Sequence, residues 1–415
     1  MVILVKITFS FRLHKWFQSD KIDIERNLGK EGTAMTDFEE NGQTLENCTV
    51  TENAQMPEKG EEIRFFGGDI SFDAPETYDD TPDKKKKIRF AFSMTHFSVF
   101  IYLMISQGAA ALLMLFVSLS LAVSGVGTDA VNSDLLLVIN AVSQYIIAFP
   151  IFLLLARTVK GEPKKGKERL SVGRFLLLFV VAEGVMLGVA SISSICSSLF
   201  DRMLGISGEN PIDALLGESN LIITFVCTCI LAPIFEELIF RKIMMDRLSA
   251  FGGGVAICFS AVAFGLFHGN FSQIFYATAV GIVLGYVYHR TGKVIYTVIS
   301  HGMLNFVGGI LPLGVDWMSA ESERIRALAE AGAEVNVGLI TLYDILTAIY
   351  GLAMLMFIGA AITIIVLAII KRKIKLEKSE EYDTKTVVKT GIANTGFVLM
   401  TAASLVLAII TMLSF

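Results

Sequence analysis

The chain has 415 residues, of which 53% are hydrophobic and 18% charged, with a mean hydropathy of +0.61. Soluble domains carry about 25% charged residues, and apolar runs of the ~20-residue length that a hydrocarbon core requires recur here. A soluble globular protein is therefore excluded, and an all-α, polytopic transmembrane helical bundle of eight to nine spans is expected. The net charge of −5 is unevenly spread, and no nucleic-acid partner is expected.

The opening MVILVKITFSFRLHKWF is short, is interrupted by Lys6 and Arg12, and lacks a small-residue cleavage site. It is not read as a signal peptide, and Met35 offers an alternative start. Residues 36–80 are acidic and polar, with only Lys59 and Arg64 as cations. Such a composition buries too little apolar surface to fold alone. Residues 1–90 are thus expected to form a cytoplasmic, mostly disordered tail, and 91–415 a transmembrane domain. The tail ends in Lys84, Lys85, Lys86, Lys87 and Arg89. A basic cluster directly before an apolar run is a topology signal.

Nine spans are placed near 92–123, 134–157, 171–199, 220–247, 252–268, 272–289, 293–313, 343–370 and 395–414. The basic segments Lys84–Arg89, Arg157–Arg169, Arg241–Arg247, His289–Lys293 and Lys371–Lys378 alternate with segments carrying only Arg202, Arg324 and Arg326 as cations. The positive-inside rule then puts the N-terminus in the cytoplasm and the C-terminus outside. On this reading 158–170 is a cytoplasmic loop and 314–340 an outer one. Cys48, Cys196, Cys227, Cys229 and Cys258 show no paired metal or redox spacing; those in apolar runs read as small buried hydrophobes.

Within the fourth span stand Glu236 and Glu237, with Arg241 one turn on. A carboxylate at bilayer depth costs roughly 2.5–3.5 kcal/mol on insertion scales and usually marks function. Glu237 and Arg241 are i, i+4 neighbours and can pair. Glu236 points about 100° away, so the same arginine does not neutralise it in the same way. Pro233 frees a carbonyl one turn earlier, a break tolerated where it lines a polar cavity. Two further spans carry Phe264-x-x-x-His268 and His301-x-x-x-Asn305. His301 and Asn305 share a helix face and can donate hydrogen bonds toward one point, as an oxyanion site requires. They could equally supply ligands to a metal, although Asn is a poor zinc ligand. Counting along the spans places Glu236 and His301 near mid-membrane and His268 toward the outer end of its span.

The ordered set Glu236-Glu237-Leu-Ile-Phe-Arg241, Phe264-Gly-Leu-Phe-His268 and His301-Gly-Met-Leu-Asn305 resembles the CAAX prenyl protease and bacteriocin-processing (CPBP, or Abi) intramembrane proteases. The resemblance covers about residues 220–310. It implies an intramembrane endopeptidase in which Glu236 and His268 activate water, and His301 and Asn305 stabilise the oxyanion. Glu237 and Arg241 would hold the helix and the charge balance. The family has been described as metalloproteases; the Asn-containing set fits a metal-free mechanism better, so no cofactor is expected and zinc stays open. The implied partners are the bilayer and a peptide or protein substrate at the membrane. Prenylated CAAX tails, leader peptides, pheromone precursors and bacteriocins are all compatible. Two other readings stay open: a transporter with Glu236, His268 and His301 as a proton relay, and a non-cleaving immunity or adaptor protein of the same fold.

Overall fold

The computed structural model describes residues 64–65, 68–69 and 81–413, apart from 126, 128–130, 162–167, 205–210, 372 and 375. Contacts divide the chain into Met1–Asp73 and Ala74–Phe415. The described part of the first unit is a minimal antiparallel pair, β1 (Arg64–Phe65) with β2 (Gly68–Asp69). The remainder of the expected acidic tail lies outside the described residues.

The second unit is helical. Among the described residues, eight helices are long and apolar enough to cross a membrane: α1 (Pro82–Val123), α2 (Ser133–Ala156), α3 (Val172–Leu199, continuing to Leu204), α5 (Leu221–Phe251), α7 (Phe271–Thr291), α8 (Val294–Glu330), α9 (Val337–Ile370) and α11 (Thr395–Met412). The protein is therefore a multi-pass integral membrane protein. Two short helices lie between spans, α4 (Pro211–Glu218) and α10 (Thr384–Ile392). The remaining expected span is α6 (Gly253–Phe267), 15 residues long. At 1.5 Å per residue it reaches about 22 Å, short of the ~30 Å hydrocarbon core. It does not need that length, because nearly all of it is buried by other helices.

Glycine lets α6 and α7 meet. A Cβ on Gly265 would stand 2.0 Å from Thr278 Oγ1, and one on Gly281 would stand 2.9 Å from Ala261 Cα. Gly281 and Gly285 thus form the small-residue packing face that their spacing suggests. Gly252, at φ 113°, makes the turn into α6. An aromatic core (Phe92, Tyr102, Phe152, Phe240, Phe264 and Phe267) joins α1, α2, α5 and α6. By contrast α9 has one buried residue, Ala361. Its exposed Leu352, Leu355, Met356, Ile362 and Ile369 suit contact with lipid.

Two expectations are corrected. Residues 314–330 are not loop: α8 runs through them to Glu330, and the chain is non-helical only briefly before Val337. The segment is polar and amphipathic, so hydropathy does not mark it, yet a helix that emerges into water needs no apolar run. Likewise α1 begins at Pro82 rather than near 92, carrying the basic cluster in its first turns.

Candidate active site

Local backbone irregularity frames the two glutamates. In α5 a π-helical stretch, Val226–Leu231, precedes Pro233, and a second, Leu238–Met245, follows Glu237. Short π segments inside α-helices occur often at functional sites. Here they lie either side of the turn that carries Glu236 and Glu237. A third, Phe306–Ile310, follows Asn305 in α8.

The two carboxylates are sorted as the sequence predicts. Glu237 and Arg241 are fully buried and form an ion pair, Nε to Oε2 at 3.1 Å. Arg241 also donates to Ser260 Oγ at 3.2 Å, and its guanidinium lies 4.9 Å from the centre of the Phe264 ring. Ser260 in turn donates to the Phe240 carbonyl at 2.7 Å. The other Glu237 oxygen lies 3.0 Å from His301 Nδ1. This bond joins α5 to α8, and it fixes the ring when Nδ1 carries the proton. His301 Nε2 then faces Glu236, 3.9 Å from its Oε2. That Glu236 oxygen is buried and has no hydrogen-bond partner.

Glu236, His268, His301 and Asn305 line one cavity of about 780 Å³. Phe264 lines it too, with its ring edge-on to both imidazoles: 5.0 Å and 90° to His268, 5.6 Å and 89° to His301. His268 is the C-cap of α6, and its Nδ1 lies 2.9 Å from the Phe264 carbonyl. Because α6 is short, its end falls inside the bundle. Phe267 stacks on Tyr102, near the middle of α1. His268 therefore joins the glutamate and His301 in the cavity instead of standing apart at an outer rim. Asn305 donates one amide N–H to the Thr228 carbonyl at 2.7 Å, which sets the amide plane and leaves its second N–H for another acceptor. Asn270 is buried and caps α7 by accepting from Ser272 and Gln273 N–H groups.

The metal alternative meets a geometric test. Among the described residues, no group of three or more His, Cys, Asp or Glu side chains comes together as a ligand set. Glu237 is engaged by Arg241 and His301. Glu236, His268 and His301 share the cavity but do not converge on one point as three zinc ligands would.

Sequence reasoning missed two polar residues. Ser260, which ties Arg241 to the α5 backbone, carries no distinctive pattern in an apolar helix. Glu183 in α3 does carry one, because it is an intramembrane carboxylate. It is fully buried, and both of its oxygens lack a partner. It stands behind the glycine turn of α8, where a Cβ on Gly308 would lie 3.7 Å from Glu183 Oε1. His96 is the opposite case. It is an in-span histidine that touches the Phe92 carbonyl at 2.6 Å and packs among Phe92, Phe259 and Phe397, a core residue.

Comparison with known proteins places the same segment in a peptidase context. Residues 218–307 match the family described as Type II CAAX prenyl endopeptidase Rce1-like. The resemblance read from the three motifs is thus shown for the segment that contains all of them. Over 171 residues the chain is 28% identical to the Bacillus subtilis (strain 168) protein described as "Putative membrane peptidase YdiL", which spans 40% of this chain and 68% of the relative. No solved structure matches. Both matches support a protease.

Proposed function

We propose that the protein is an intramembrane endopeptidase that hydrolyses a peptide bond of a membrane-associated substrate with water activated by Glu236. What supports this most is the division of labour between adjacent carboxylates. Glu237 is held by Arg241 and His301, whereas Glu236 lines the cavity that His268, His301 and Asn305 share, with one buried oxygen left without a partner. In this reading Glu236, assisted by His268, takes a proton from water as the oxygen adds to the scissile carbonyl. The proton passes on to the departing amine. The free amide N–H of Asn305 and the Nε2–H of a doubly protonated His301, whose Nδ1–H stays on Glu237, meet the oxyanion. Glu237 and Arg241 act through His301, by fixing its ring.

The activity is proposed to be metal-free, on the ground that Asn305 is a good hydrogen-bond donor and a poor zinc ligand. Purified protein should contain no stoichiometric transition metal, and cleavage should survive a strong chelator. About one zinc per chain by elemental analysis, with chelator-sensitive activity restored by zinc, would overturn this. The peptidase reading is tested by incubating the chain in proteoliposomes with prenylated CAAX peptides and with leader peptides, and following the products by mass spectrometry. Cleavage that is undiminished in Glu236→Ala would sink it.

A further inference from the structure

The cavity occupies one half of the bundle. On α2 its lining stops at Gln144, on α5 at Glu236 and on α7 at Val280, each at the middle of its span. On α3 it begins at Met186, again the middle. From that level it runs to the helix ends: Ser198 on α3, Gln273 beside the α6–α7 turn and Met412 on α11. Spans running one way contribute their first halves, and spans running the other way their second. Glu236 therefore stands at the floor of the cavity, and the wall rises from it toward one end only.

The halves that the cavity avoids carry the cations. Arg247, at the end of α5, donates to the Ala156 carbonyl at the end of α2. Arg290, at the end of α7, pairs with Glu168 ahead of α3. Lys87, at the start of α1, pairs at 3.8 Å with Glu381, which follows α9. Beyond the cavity end, the two arginines of α8 are neutralised, Arg324 by Glu321 at 2.9 Å and Arg326 by Asp344.

The wall is also selective in its chemistry. Asn140, Gln144, Ser194, Ser197 and Gln273 supply neutral amides and hydroxyls, and the lining holds no Lys, Arg or Asp and no carboxylate besides Glu236. Neutral groups of this kind can meet the N–H and C=O groups of a peptide main chain. A charged side chain on the way down would shed water and gain no partner on the wall, which is costly. From Met186 to Ser198 the wall is about 18 Å deep at 1.5 Å per residue, the reach of about five residues of extended chain.

We propose that the site is entered from the outer face of the membrane, by an extended, uncharged stretch of a peptide translocated or anchored there. The direction of entry follows from the cation distribution through the positive-inside rule. That the entrant is a peptide substrate rests on the peptidase reading of Glu236. On this inference the substrates are leader or precursor segments at the outer face, and a tail confined to the cytoplasm does not reach Glu236.

Entry is tested without catalysis. Single cysteines Ser194→Cys and Gln273→Cys on the wall, and Lys371→Cys at the basic end, are made with the native cysteines replaced by serine. Each is probed in right-side-out and in inverted membrane vesicles with a membrane-impermeant thiol reagent. The two wall cysteines should react in right-side-out vesicles and Lys371→Cys only in inverted ones. Wall cysteines that react only in inverted vesicles, or in neither until the protein is unfolded in detergent, would overturn the inference. The substrate class is then read with uncharged twelve-residue peptides bearing one N-terminal acyl chain, added to the same two preparations of the full chain. Glu236-dependent cleavage should appear in right-side-out vesicles, and a lysine within five residues of the cleaved bond should slow it at least tenfold. Cleavage confined to inverted vesicles would overturn the inference. Cleavage in neither preparation counts against the peptidase reading, and the direction of entry is then decided by the labelling.

Discussion

At the scale of residues, the site is a contrast between two glutamates that differ by one position. Their roles diverge because successive side chains on a helix point about 100° apart. Glu237 turns to Arg241 and His301, and Glu236 to the cavity. The expected consequences differ in kind. Glu236→Ala, His268→Ala and His301→Ala should each abolish cleavage while the protein still accumulates in the membrane. Asn305→Ala should leave a measurable remnant, since removal of one oxyanion donor costs ~10²–10³ in rate. Arg241→Met should instead act on stability, because it strands Glu237 as a buried, uncompensated charge, at about 3–5 kcal/mol. Thermal unfolding in detergent reads this. The double variant Glu237→Gln/Arg241→Met should recover much of the stability without recovering cleavage, because His301 then loses the carboxylate that orients it. Equal stability of the single and double variants would contradict the pairing. All six candidate residues were legible in the sequence, because polar side chains are rare in apolar spans and spacing places them on faces. Ser260 was not legible, since its role is a tertiary contact with Arg241.

At the scale of elements, the site depends on one short helix. α6 ends at Phe267, the chain turns through Gly269 at φ 56°, and α7 starts at Phe271 under the Asn270 cap. This compact turn delivers His268 into the bundle. Its depth is set by how closely α6 and α7 pack, and glycine sets that. Gly265→Ala puts a methyl group against Thr278 Oγ1 and within 2.5 Å of the Ile274 carbonyl, a backbone atom that cannot rotate aside. Overpacking of this kind costs about 1–3 kcal/mol. The variant should lower the unfolding temperature and reduce cleavage through displacement of His268. Wild-type stability and activity in Gly265→Ala would show that the interface yields. The sequence gives the order and type of these elements through the length of apolar runs, and it gives Gly281 and Gly285 through their spacing. It does not give the π-helical stretches beside Glu236 and Asn305. Those arise where packing and Pro233 disturb the backbone ladder, and no pattern of side chains marks them. Nor does it give the polar half of α8, where the helix no longer needs hydrocarbon around it.

At the scale of the molecule, the cation-bearing ends converge on one end of the bundle. The Lys84 amine donates to the Glu381 carbonyl, and Lys87 pairs with the Glu381 carboxylate at 3.8 Å, which joins the start of α1 to the segment after α9. That segment also meets the α5–α6 junction, where Gly253 N–H donates to the Glu377 carbonyl and Ser379 to the Ala250 carbonyl. Arg247 reaches the carbonyl of Ala156 at the end of α2, and Arg290 at the end of α7 pairs with Glu168. Five basic segments far apart in sequence thus share one end. This is the arrangement that alternating charge requires if α6 counts as a traversal despite its length. From the positive-inside rule we propose that this end faces the cytoplasm. The proposal is tested with single cysteines in a background where the five native ones are replaced by serine. One is placed in 158–170 and one in 331–336, beyond the helical end of α8, and both are probed with a membrane-impermeant thiol reagent added from each side. The 331–336 cysteine should react from outside and the 158–170 cysteine only after the cytoplasmic face is opened. Reaction of both from the same side would mean that α6 does not reverse the chain's direction. Reaction of each from the opposite side would invert the whole assignment, and it would place the acidic N-terminal segment outside the cell.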